Sequence, residues 1–150
     1  MNQIELENLC IGIRSCLEKW SKDGTSDKAG WEDLKNFPNG SCGLVSECLS
    51  TILYRLTGCR PYNVIGQCND RSHRWVEMNG INIDLTGDQF NNEEGVNIPP
   101  VFISSSPHPL SAMMTTETET AYIIDTTNAL DGNDQKLKKL IDKLSVELNL

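Results

Sequence analysis

Positive charge, histidine, paired cysteine motifs and long apolar runs are all scarce in this 150-residue chain, and each shortage excludes something. Thirteen Lys and Arg stand against twenty-one Asp and Glu, a net charge of −8. Such a field repels phosphate backbones and anionic lipid heads, so neither nucleic acid nor a membrane surface is expected as a partner. No apolar run approaches the ~20 residues of a membrane span. Residues 1–7 hold no basic segment followed by an apolar block, so no signal peptide is expected. The expected location is cytoplasmic, or injected or secreted without a standard leader. The six cysteines (10, 16, 42, 48, 59, 68) include no CxxC pair, and the only histidines are His73 and His108. Cys59, Cys68 and His73 match none of the usual zinc spacings, so no metal and no cofactor is expected. Disulfide frameworks belong to exported chains, and most of these cysteines read as small reduced apolar residues. No repeat or long linker appears, so one domain is expected over residues 1–150.

What is present is enough for one core, with 38% hydrophobic residues. Leu6, Leu9, Ile13, Leu17 and Trp20 recur at helical spacing and predict an amphipathic helix over roughly residues 3–20. Lys22 to Asp27 reads as a turn-rich loop. Leu44, Val45, Cys48, Leu49, Ile52, Leu53 and Leu56 form one broad stripe, ended by Gly58, and predict a helix buried on most of its circumference. Tyr62 to Gln67 reads as a short strand. Two alternating segments, from His73 and from Ile81, flank Asn79-Gly80, the residue pair that a two-residue type I′ hairpin turn favours. Residues 91–110 read as mostly irregular, the Thr116–Thr120 alternation as a solvated strand or loop, and Ala121 to Asp125 as a further strand. Leu137, Leu140, Ile141, Leu144 and Leu148 predict a C-terminal helix. The expected class is α+β with an antiparallel sheet.

Pairing the hairpin across Asn79-Gly80 sets Met78 opposite Ile81 and Val76 opposite Ile83. Side chains alternate between faces along a strand. One face then carries Arg74, Val76, Met78, Ile81, Ile83 and Leu85. The other is a polar face with His73, Trp75, Glu77, Asn82, Asp84 and Thr86. His73 and Asp84 are diagonal neighbours there, and a carboxylate beside an imidazole fixes its tautomer and steadies the imidazolium. Cys42 lies at the expected start of the buried helix, where free N–H groups and the helix dipole favour a thiolate. Gly40 and Gly43 flank it and would let backbone N–H groups approach a developing oxyanion. Plainer readings exist for each residue. A lone cysteine is most often structural, Cys48 sits on the core stripe, and Ser41 or Asn39 would serve as a helix cap. Trp75 reads as a packing or wall residue, and His108 in Ser-Pro-His-Pro as a loop residue with a minor claim to the site.

Gly40-Ser41-Cys42-Gly43 at a helix start, then His73-Arg-Trp-Val-Glu, then Ile83-Asp84-Leu-Thr resembles the papain-like superfamily of cysteine enzymes. The resemblance spans roughly residues 36–90. The histidine and aspartate segments most resemble the transglutaminase-like branch, and the Gly-Ser-Cys segment resembles papain; the NlpC/P60 peptidases and bacterial effector deamidases share the same core. The resemblance implies a papain-like core in which a nucleophile-bearing helix packs on a small antiparallel sheet. It implies Cys42 as nucleophile, His73 as base and Asp84 as orienting group. Asn36, standing where papain-like proteases place a glutamine, would share the oxyanion hole with the Cys42 amide, and Trp75, Gly40 and Gly43 would border a protein or peptide substrate. The expected activity is that of a thiol hydrolase or acyltransferase on an amide: protease, amidase, glutamine deamidase, or transglutaminase, in the manner of a small bacterial effector or toxin. The alternative is a papain-like binding module without turnover.

Overall fold

The computed structural model describes residues 1–127 and 130–150. Helix α1 (Gln3–Lys22) begins at a capping box: Asn2 accepts from the Glu5 N–H at 2.9 Å, and the Glu5 carboxylate accepts from the Asn2 N–H at 2.7 Å. A short helix α2 (Thr25–Ala29) occupies much of the stretch expected to be loop. Helix α3 (Cys42–Thr57) ends at Gly58, whose φ of 72° closes the helix in the left-handed region, as expected from its place after the stripe. Leu56, counted in that stripe, is exposed. Strands β1 (Tyr62–Cys68), β2 (Arg71–Met78), β3 (Ile81–Asp84), β4 (Phe102–Ser104) and β5 (Thr115–Thr120) follow, then helix α4 (Gly132–Leu148). The fold is α+β, with the strands in one antiparallel sheet of order β4-β3-β2-β1-β5. Among the described residues no helix is long and apolar enough to cross a membrane.

The hairpin has the expected register, with Val76 paired to Ile83 and Met78 to Ile81. Asn79 and Gly80 both take positive φ at its tip, 54° and 76°. Val76, Met78, Ile83 and Leu85 are buried together against α1, α3 and α4 in the main core.

The opposite, polar face is covered as well: His73, Trp75, Asp84 and Thr86 are all buried. The chain after β3 folds back over them, and a second cluster of Phe90, Ile98, Leu110 and Met114 forms the roof. Arg14 anchors this excursion from α1. Its guanidinium donates twice to the Asp88 carboxylate, at 2.8 Å each, and once to the Leu85 carbonyl at 2.7 Å. Residues 91–110 accordingly contain an ordered strand, β4, that pairs with β3. The Thr-Glu alternation forms the exposed edge strand β5. Ala121 to Asp125 is not a strand, because Ala121 and Ile124 turn inward and Ile124 joins the main core.

Candidate active site

Cys42 is the first residue of α3, where the amides of a helix's first turn have no acceptor within the helix. The expected caps do not serve. Ser41 precedes the helix but turns its hydroxyl to the Pro38 carbonyl at 2.7 Å, and among the described residues no side chain caps the helix. The first-turn N–H groups are thus left beside a partly exposed thiol. A Cβ on Gly43 would meet nothing within 4 Å, so space stays open next to that thiol.

The Cys42 thiol hydrogen-bonds with His73 and meets the backbone N–H of Arg74 on β2. Burial pushes the thiol up, but the hydrogen bond and charge of His73 outweigh it, so the thiol lies below its ordinary value. Behind His73, its Nε2 lies 2.7 Å from Asp84 Oδ2. Burial pulls the imidazole down, while Asp84 and then Cys42 pull it up more strongly, to about 9. Burial of Asp84 acts to raise its carboxyl, yet the charge of His73 and the hydrogen bonds from both histidines hold it far below the usual carboxylate range. Its other oxygen, Oδ1, accepts the Thr86 N–H at 2.9 Å and contacts the Thr86 hydroxyl at 3.3 Å.

Cys42 and His73 line a cleft of about 590 Å³ walled by α3, β2, the Trp31 turn and the start of α4, and Asp84 lies buried behind them. Glu32, Asp33, Glu47 and Asp134 give its rim a negative balance against Arg74 and Lys136. Glu47 is raised by burial, with the Arg74 guanidinium 3.5 Å away pulling the other way. The chain matches no protein-family model, no curated protein and no solved structure. Function must therefore be argued from the site itself.

The structure brings Cys42, His73 and Asp84 together and sets Gly43 on the cleft wall. The other residues expected near the site lie outside the cleft lining. Asn36 is exposed in the turn before α3 and outside the cleft lining, because the chain reaches α3 through the Pro38–Gly40 turn, where Gly40 has a φ of 72°. Gly40 also lies outside that lining. Trp75 is buried behind the histidines, its indole N–H donating to Asn82 Oδ1 at 3.0 Å, and does not reach the cleft.

Two residues gain a place here: Gln89, which the sequence did not single out, and His108, to which it gave only a minor claim. Gln89 donates to the Thr86 carbonyl at 2.9 Å, and its Nε2 lies 3.4 Å from His73 Nδ1. His108 Nε2 lies 2.9 Å from Asp84 Oδ2. Nothing local announces either contact, since both depend on how residues 87–114 fold back. The ligand-type atoms of His73, Asp84 and His108 lie within 4.8 Å of one another. Both imidazoles spend their Nε2 on the same carboxylate oxygen, which makes the trio a hydrogen-bonded chain.

Proposed function

We propose that the chain is a cysteine-dependent hydrolase or acyltransferase of papain-like type, acting on an amide of a protein or peptide. The observation that carries this reading is one continuous contact chain. A thiol at an uncapped helix start touches an imidazole, whose far nitrogen is held by a buried carboxylate at 2.7 Å. That is the arrangement nucleophilic catalysis requires: nucleophile, base, and a group orienting the base.

The roles follow from the geometry. With Nε2 engaged by Asp84, Nδ1 of His73, which Gln89 Nε2 also approaches at 3.4 Å, is the nitrogen that takes the thiol proton. Asp84 steadies the resulting imidazolium. The Cys42 sulfur attacks the carbonyl carbon, and the oxyanion that forms is stabilised by the Cys42 amide at the helix start. When the C–N bond breaks, His73 returns its proton to the leaving nitrogen. The thioester left on Cys42 is then attacked by water, giving a protease, amidase or deamidase, or by an amine, giving a transglutaminase.

Iodoacetamide labelling near pH 6, with the site located by mass spectrometry, tests the reading. Cys42 should be modified well ahead of the exposed Cys59, and His73→Ala should abolish that preference. Labelling of Cys42 no faster than Cys59 would refute it.

A further inference from the structure

His108 sits in Ser106-Pro-His-Pro, and its backbone takes the extended conformation (φ −62°, ψ 137°) that a following proline favours. Its side chain is buried and fixed on every side. The ring stacks on Trp75, with centroids 4.2 Å apart and planes 17° from parallel, and Phe102 meets it edge-on at 5.0 Å. Both nitrogens are used. Nδ1 accepts the Leu110 N–H at 3.1 Å, so the ring's proton resides on Nε2, which donates to Asp84 Oδ2 at 2.9 Å.

The consequence falls on Asp84. Oδ2 receives N–H groups from two imidazoles while Oδ1 receives the Thr86 amide, so the carboxylate cannot turn about its own axis without losing a bond. A ring present only for packing would need neither nitrogen placed in this way. Building on the thiol-enzyme reading, we infer that His108 is a positioning residue: fixed as the Nε2–H tautomer by Leu110, it clamps Asp84 on the axis of His73 and so sustains the charged Cys42–His73 pair. The ionisable groups facing Asp84 are His73, with Cys42 beyond it, and His108 itself.

Two substitutions separate the clamp from packing. His108→Phe keeps a ring between Trp75 and Phe102 but removes both nitrogens. His108→Gln removes the ring but retains an N–H donor of similar reach. With Asp84 free to swing off axis, His108→Phe should slow Cys42 alkylation near pH 6 by about tenfold, corresponding to about one pH unit in the thiol, and leave it nearly unchanged near pH 9.5. His108→Gln should retain most of the rate near pH 6. The reverse order, with Phe tolerated and Gln impaired, would assign His108 to packing and overturn the inference, as would two wild-type profiles. Should His108→Phe not fold, the ring ¹⁵N shifts of the wild type at pH 8 report the tautomer without any substitution. A proton on Nε2 supports the clamp and one on Nδ1 overturns it. A wild-type Cys42 with ordinary reactivity near pH 6 would instead remove the thiol-enzyme reading, and this inference with it.

Discussion

Replacing Asp84 with asparagine changes neither the volume nor the outline of the side chain, so its effect isolates hydrogen bonding and charge. Both oxygens of Asp84 accept bonds: Oδ1 from the Thr86 amide, Oδ2 from two imidazoles. An amide must point its NH₂ one way or the other. Toward Thr86 it meets a backbone N–H, and toward the histidines it meets His108, whose Nε2 keeps its proton because Leu110 occupies Nδ1. Either orientation forfeits a buried bond to a charged group, worth about 1.5–3 kcal/mol. A second contribution depends on pH. His73 rises from an ordinary 6.5 to about 9 on folding, which at about 1.4 kcal/mol per pH unit corresponds to about 3 kcal/mol, shared between Asp84 and Cys42. A base raised in this way stabilises the fold fully below 6.5 and loses that contribution as pH climbs through 9. Urea unfolding at pH 6 and pH 9.5 reads both terms. Asp84→Asn should lose at least about 2 kcal/mol at pH 6, and the gap to wild type should narrow by about 1 kcal/mol or more at pH 9.5. A gap below about 0.5 kcal/mol, or one equal at both pH values, would refute the three-bond carboxylate.

Other substitutions probe the surroundings. Gly87→Ala would place a Cβ 2.6 Å from Asp84 Oδ2 and 2.9 Å from Ile98. It should destabilise by about 1–3 kcal/mol and slow Cys42 labelling near pH 6, and an unchanged labelling rate would show that Asp84 tolerates displacement. Cys48→Ala should cost about 1 kcal/mol or more through a core cavity while leaving Cys42 labelling unaltered, which parallel urea and alkylation measurements check. Burial pushes the Cys48 thiol up to about 12, so it should react with iodoacetamide only after unfolding.

Legibility in the sequence followed the range of the determining contacts. The hairpin was readable because Asn79-Gly80 dictates its own turn and the alternation on either side dictates which residues share a face. The same alternation set His73 and Asp84 on one face, and the stripe from Leu44 to Leu53 placed Cys42 at a helix start. Burial of the second face was not readable. Its roof comes from Phe90, Ile98, Leu110 and Met114, which show no common period and meet only through the path of a long connection tied down by Arg14. The contacts of His108, which had only a minor claim as a loop residue, and of Gln89 were inaccessible for the same reason, since the two lie 24 and 16 residues from their partners Asp84 and His73. Asn36 lies exposed outside the cleft lining, because a fixed offset from the cysteine cannot anticipate how the Pro38–Gly40 turn directs the chain. For β5, alternating Thr and Glu suits an exposed edge strand, whereas the more apolar Ala121 to Asp125 is drawn away into the core.

The ionisation state of Cys42 tests the central proposal most directly. Thiolate ultraviolet absorbance, followed against pH in wild type and in Cys42→Ser, isolates this one thiol from the other five. If His73 and Asp84 hold Cys42 as the anionic half of an ion pair, the difference between the two titrations should show a thiolate already present below the ordinary thiol value of 9.0, and His73→Ala should shift its appearance up to that value. A difference curve appearing only at or above that value, unchanged by His73→Ala, would contradict a thiol enzyme built on this site.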